Sequence, residues 1–258
     1  MTTYPVLEGK TVIVTGAAMG MGEATARLFA EAKANVVLAD FNEEKGQAVT
    51  DDIVAQGGSA AFVKVDISKS DQVKAMVDFA VATYGRLDGA VNNAALTPDN
   101  GYSAEFDEAY WDRLMSVDLK GTALSMKYEL QQLLEQGDGG SIVNISSVSG
   151  FRPQPGNIAY VSAKHGVVGM TKTAAMEYGS KGIRVNSVAP GAIDTPMLRG
   201  ALEEFGLDEA SYAPQLSLLE RFGQPTEIAQ ASLWLISDLS SFVTGTTLHV
   251  DAGYVEGR

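Results

Sequence analysis

Thr11-Val12-Ile13-Val14-Thr15-Gly16-Ala17-Ala18-Met19-Gly20-Met21-Gly22 decides the fold. Its first five residues form a nearly continuous apolar run, which predicts a strand covered on both faces. The glycines then follow the spacing G-x-x-x-G-x-G and lead into a helical pattern. Glycine lets a backbone turn tightly, and it lets a pyrophosphate approach a helix N-terminus, where free N–H groups point outward. Taken alone, such a cluster is equally well a packing turn. The strand before it and the helix behind it favour the phosphate reading. Gly9-Lys10-Thr11 is not the end of a phosphate loop, because position 4 is Tyr4 and the triplet precedes a strand.

Working outward, six further runs read as strands: Asn35–Asp40, Ala60–Asp66, Asp88–Asn92, Ser141–Ser146, Ile183–Ala189 and Thr246–Val250. Segments with apolar residues at three- and four-residue spacing alternate with them and predict helices over Glu23–Lys33, Glu43–Gln56, Ser70–Tyr84, Glu108–Glu135, Ile158–Tyr178 and Pro225–Leu235. There is no internal repeat and no linker-like stretch. Strand–helix alternation over 258 residues predicts a single doubly wound α/β domain, 1–258, with a seven-stranded parallel sheet and helices on both faces. Ligands in such sheets sit outside the carboxyl ends of the strands.

Composition excludes several functions. The absence of cysteine removes disulfide scaffolds, thiolate nucleophiles, iron–sulfur clusters and thiolate zinc sites. With only His165 and His249, a three-histidine metal site is impossible, and no metal is expected. A formal charge of −13 disfavours nucleic acid and anionic membrane surfaces as partners. No apolar run approaches the length that spans a bilayer, and Met1–Pro5 lacks a signal-peptide pattern. A cytoplasmic protein acting on a small molecule is expected.

Asp40 ends the second strand, 18 residues beyond Gly22. A carboxylate there can bind both ribose hydroxyls of NAD; the other reading is a cap for the following helix. A 2′-phosphate at ~4 Å would meet a gross repulsion of about 4 kcal/mol at an effective dielectric of ~20. The neighbours Met19 and Phe41 offer no cation against it. NAD is therefore expected rather than NADP.

The fifth strand run leads into Ser147, Tyr160 follows 13 residues later, and Lys164 four after that. On a helix, positions i and i+4 share a face. A phenol ordinarily titrates near ~10. A desolvated ammonium beside it stabilises the phenolate, as a base working near neutral pH requires. Ser147 can hold a substrate oxygen while charge develops on it.

Together these motifs resemble the short-chain dehydrogenase/reductase family, of the compact NAD-type alcohol dehydrogenase/ketone reductase kind. The resemblance runs nearly end to end, through Thr15-Gly16…Gly20…Gly22, Asp66-Ile67, Asn92-Asn93-Ala94, Ser147…Tyr160…Lys164 and Pro190-Gly191-Ala192-Ile193-Asp194-Thr195. It implies a Rossmann-like fold whose cofactor site is built by Gly16, Met19, Gly20, Met21, Gly22 and Asp40. Asp66 and Ile67 would flank adenine, and Asn93 would contact a ribose. Tyr160 and Lys164 would hold the nicotinamide ribose, with Ile193 and Thr195 at the carboxamide. Ser147, Tyr160 and Lys164 would be catalytic. The implied reaction is NAD(H)-dependent interconversion of a secondary alcohol and a ketone, with Tyr160 as acid/base. A homotetramer through the two long helices and the last strand is implied as well.

Three positions depart from the family pattern. Asp118 stands where asparagine is usual, at the catalytic position whose main-chain carbonyl helps hold a relay water. Ala95 and Ala252 each replace a glycine. Leu96, Phe151 and Met197 follow the cofactor and catalytic motifs, so they are expected as pocket walls facing a hydrophobic or cyclic substrate. The segment at about 196–217 is expected as a substrate lid. His165 and His249 are expected to be structural. The alternatives are a 3-oxoacyl-thioester reductase, which Asp40 and the acidic charge oppose, and a dinucleotide-binding regulatory protein with vestigial activity, which the intact Ser147, Tyr160 and Lys164 oppose.

Overall fold

The computed structural model describes residues 6–257; Met1–Pro5, where the signal-peptide reading applies, lie outside the described residues. Among the described residues, seven parallel strands form one sheet in the order β3-β2-β1-β4-β5-β6-β7. They are β1 Thr11–Thr15, β2 Asn35–Asp40, β3 Ser59–Lys64, β4 Gly89–Asn92, β5 Gly140–Ile145, β6 Ile183–Pro190 and β7 Thr247–Val250. The helices are α1 Gly20–Glu31, α2 Glu43–Ala55, α3 Ser70–Tyr84, α4 Glu108–Leu114, α5 Thr122–Gln136, α6 Ile158–Tyr178, α7 Pro196–Phe205, α8 Glu209–Leu216, α9 Pro225–Ile236 and α10 Tyr254–Gly257. None is long and apolar enough to cross a membrane.

The first strand shows how the layers arise. Side chains alternate across a strand, so Val12 and Val14 enter one core with Phe29 of α1 and Ile228 and Leu235 of α9. Ile13 points the other way, to Met76 of α3 and Leu133 of α5. Every residue of β1 is buried. A strand with no wet face needs helices on both sides, and each buried aliphatic side chain contributes about 1.5–3 kcal/mol.

The expected strands all form, with ends shifted by at most two residues. The expected helix over 108–135 forms in three parts. Between α4 and α5, residues 115–121 take a wide π-helical turn. Such turns recur at functional sites, and this one holds Asp118 fully buried against Leu96 and Lys164. At its end Gly121 lies where a Cβ would come within 2.8 Å of Ile67, so the close packing there requires glycine.

Chain order reverses between β1 and β4, which lie side by side. The connections leaving their carboxyl ends diverge to opposite faces and open a crevice between them. The segment at 196–217 folds as α7 and α8.

Candidate functional site

The glycine turn is built by close approach. Gly16 has φ +66°, and a Cβ there would come within 2.8 Å of Ala94 Cα. A Cβ on Gly22 would come within 2.0 Å of the Gly16 carbonyl. Asn93 Nδ2 fills the remaining space and donates to the carbonyls of Thr15 and Gly16 at 3.1 and 3.2 Å. No side chain caps the start of α1. A tight glycine cradle ending on an uncapped helix N-terminus fits a pyrophosphate.

Asp40 is shared between two tasks. Oδ2 accepts from the Ala18 N–H at 2.9 Å, and Oδ1 accepts from the Asn42 N–H at 2.8 Å. The carboxylate thus braces the glycine turn while lining the cleft above it. Asn42, not Asp40, caps α2, which removes the simple capping reading of Asp40.

One cleft of about 1440 Å³ runs past these residues. Gly16, Met19, Gly20, Met21, Asp66 and Ile67 line it on the glycine-turn side. Asn93, Ser147, Tyr160, Lys164, Ile193 and Thr195 line it too, as do Leu96 and Met197. The residues offered by the chain therefore fit an extended dinucleotide with space for a small molecule beside it. Gly22 lies buried beneath the turn, outside the lining. Asp66 also shapes the turn after β3, accepting from the N–H and hydroxyl of Ser68. Thr195 caps α7 through the Leu198 N–H at 3.3 Å.

At the carboxyl end of β5, Ser147 is 8% exposed. Its Oγ accepts from the Ser149 N–H at 3.1 Å. Across from it, α6 carries Tyr160 and Lys164 one turn apart, with the ammonium 5.3 Å from the centre of the phenol ring. Lys164 is almost wholly buried and donates to the Ile145 carbonyl at 3.3 Å. Its other neighbour is Asp118, whose Oδ2 lies 3.5 Å from Nζ. Asp118 Oδ1 accepts from the Leu96 N–H at 2.8 Å, and the Asp118 carbonyl accepts from Thr122 Oγ1 at 2.8 Å. Burial raises the Asp118 carboxyl above the usual range, opposed by Lys164 and by the Leu96 N–H.

Phe151 departs from expectation. It stands outside the cleft lining, its ring edge-on to His249 with centres 4.5 Å apart. Phe151 ends the short turn at 148–150, and the imidazole supplies its aromatic partner. The next residue, Arg152, donates to the Tyr254 carbonyl at 2.7 Å and stacks on that ring at 4.6 Å. Tyr254 thereby becomes cleft wall. His165 is exposed and bonded to its own helix.

Two carboxylates escaped the sequence reading. Asp99 lies on the cleft wall within Pro98-Asp99-Asn100-Gly101, a pattern that signals only a turn. Glu129 on α5 is completely buried; Asn92 Nδ2 donates to its Oε2 at 3.0 Å and to Asn144 at 3.0 Å. Desolvation pushes Glu129 up to about 8.

A family profile described as "Enoyl-(Acyl carrier protein) reductase" matches residues 16–255. The chain is 49% identical to "Short chain dehydrogenase/reductase astE" of Aspergillus oryzae, over 96% of this chain and 95% of that protein. It is 45% identical to "2,5-dichloro-2,5-cyclohexadiene-1,4-diol dehydrogenase" of Sphingobium indicum, over 96% of this chain and 98% of the relative. The crystal structure of levodione reductase superposes with a TM-score of 0.93 at 33% identity, covering 98% of this chain and 100% of that one.

Proposed function

The chain belongs to the short-chain dehydrogenase/reductase family, and from that premise we propose that it oxidises a neutral, hydrophobic cyclic secondary alcohol to the ketone, reversibly, with NAD. Family membership brings a nicotinamide dinucleotide as hydride carrier. The observation that carries the reading is the convergence of Ser147, Tyr160 and Lys164 on the cleft that begins at the glycine turn.

When bound, the nicotinamide supplies hydride chemistry at its C4, matching loss of the carbinol C–H. The chain's own residues do the rest. Ser147 Oγ hydrogen-bonds the substrate oxygen as carbonyl character develops. Tyr160 Oη accepts the carbinol proton in oxidation and returns it in reduction. The buried Lys164 ammonium stabilises the phenolate that precedes proton uptake in oxidation and remains after proton return in reduction. Asp118 Oδ2 faces the Lys164 ammonium at 3.5 Å.

Substrate class follows from the wall chemistry and from the relatives. Leu96, Pro153, Pro155, Met197, Leu207 and Tyr212 give the cleft apolar surface. Among the described lining residues, the cations are Lys69, Arg113 and the buried Lys164. Little there would receive the phosphate of a carrier-bound thioester, and a chain of net charge −13 repels an acidic carrier. The Sphingobium relative is named for a cyclic diol. Asp40 supports NAD over NADP through the repulsion of a 2′-phosphate.

Two further features belong to this proposal. Helices α7 and α8 serve as the substrate lid of a single domain; Met197, Leu202, Leu207 and Leu216 line the cleft from them and their connection. The chain assembles as a homotetramer, which would cover the exposed Leu134 of α5, Met176 of α6, Trp234 of α9 and Phe242, and the free edge of β7.

NADH fluorescence over a panel of secondary alcohols tests the reading. Turnover is expected with cyclic alcohols. Tyr160→Phe is expected to bind NADH and to lose turnover. An active Tyr160→Phe enzyme would overturn the acid/base assignment.

A further inference from the structure

Asp99 follows β4 by seven residues and lies 61 residues before Tyr160. Its carboxylate accepts from two consecutive N–H groups in the first turn of α6: Oδ2 from Ala159 and Oδ1 from Tyr160, both at 3.0 Å. The first turn of a helix leaves its N–H groups without partners inside the helix, and the residue just before it commonly supplies one. Here that residue is Asn157, whose side chain makes no cap. Asn157 Nδ2 donates instead to the Asp99 carbonyl. A parallel bridge between Gly101 and Asn157 completes the join. The same segment is fastened at its other end. The Leu96 N–H reaches Asp118, and the Tyr110 hydroxyl donates to the Thr97 carbonyl at 2.7 Å. Residues 96–101 thus form a strap along the cleft wall, from the buried Asp118–Lys164 pair to the start of the helix that bears Tyr160.

We propose that Asp99 is a positioning residue for the reaction: by capping α6 from the substrate side of the cleft, it fixes the phenol of Tyr160 against Ser147 and the bound alcohol. This rests on Tyr160 being the acid/base. The third residue of α6 is Tyr160 itself, so fraying of the capped turn displaces the phenol directly. A misplacement of about 1 Å costs up to ~100-fold in rate. Leu96, Thr97 and Pro98 on the same strap line the cleft. Contact with substrate and alignment of the phenol therefore depend on one segment.

The test compares wild type, Asp99→Ala, Asp99→Asn and Tyr160→Phe by steady-state kinetics, NADH binding and the primary deuterium isotope effect of a carbinol-deuterated alcohol. Asp99→Ala is expected to lower kcat roughly 10- to 100-fold, keep NADH Kd within about twofold, and raise the isotope effect as the chemical step becomes slower. Asp99→Asn retains one acceptor oxygen and is expected to recover part of that loss. A kcat for Asp99→Ala within about twofold of wild type overturns the proposal. So does a kcat loss that merely tracks a loss of NADH-binding sites with an unchanged isotope effect, since that is the mark of unfolding. If Asp99→Ala does not fold, Asp99→Asn carries the test: a lower kcat with a raised isotope effect supports the proposal, and wild-type kinetics overturns it. Tyr160→Phe reports separately on the parent reading. An active Tyr160→Phe enzyme removes the acid/base role, whereas an inactive one beside a fully active Asp99→Ala removes only the strap's role.

Discussion

The Asp118 carboxylate and the Lys164 ammonium face each other at 3.5 Å, with the side chains 0% and 3% exposed. Each is tolerable there because of the other, since an uncompensated buried charge destabilises by about 3–5 kcal/mol. Burial raises the Asp118 carboxyl and Lys164 is the leading influence that lowers it. Removing Lys164 must therefore raise it further.

Lys164→Met is accordingly expected to lose stability as pH rises. An acid whose folded pKa lies above its unfolded value favours the fold at low pH, and that contribution disappears as pH climbs through the folded value. Thermal unfolding should show a larger fall in Tm between about pH 5 and 8 for Lys164→Met than for wild type. Adding Asp118→Asn should abolish the excess fall. A double variant as pH-sensitive as the single one would place the effect elsewhere.

Glu129 makes a second prediction of the same sign. Its carboxyl is shifted from 4.5 to about 8 by burial, with the Asn92 amide opposing. Between those values the unfolded chain ionises at this position and the fold does not, so stability falls by roughly 1.4 kcal/mol per pH unit from this group. Glu129→Gln keeps an oxygen for Asn92 and cannot ionise. Denaturant unfolding should find it matching wild type near pH 4 and exceeding it by a widening margin toward pH 8; parallel curves would refute the shift.

Ala252 has φ +51°, in the left-handed region where a side chain is strained by about 1–2 kcal/mol. Its carbonyl accepts from the Leu218 N–H at 2.9 Å, which fastens the C-terminal turn to the chain just after α8. Ala252→Gly is expected to stabilise the protein by about 1 kcal/mol, with kcat/KM unchanged. Calorimetry showing a lower Tm would contradict this.

Asp40 should set cofactor preference. Asp40→Ser removes the charge and leaves one oxygen for the Ala18 N–H that Asp40 now holds. The ratio of kcat/KM for NAD to that for NADP is expected to fall at least ~10-fold, mainly through better use of NADP. Loss of both activities in equal measure would mean that the residue serves the turn alone.

Local pattern carried much of this protein. The run Thr11–Thr15, the glycines at 16, 20 and 22 and the strand–helix alternation announced a doubly wound sheet, because side-chain period and turn chemistry are properties of neighbouring residues. Tyr160 and Lys164 were legible for the same reason, being one helical turn apart. The helix expected over 108–135 formed, but local pattern did not announce the π-helical turn inside it, whose Asp118 meets Leu96 and Lys164, far away in sequence.

What the tertiary structure alone decided are the contacts that bring distant segments together. Phe151 follows Ser147 closely in sequence, yet its ring faces His249 from the last strand. Asn93 supports the glycine turn with its amide, so any part it takes in holding a ribose is limited by that bond. Asp99 reads as a turn residue until folding lays it on the start of α6. A carboxylate's role is set by which donors reach it, and those donors arrive from elsewhere in the chain only once the sheet has closed its core.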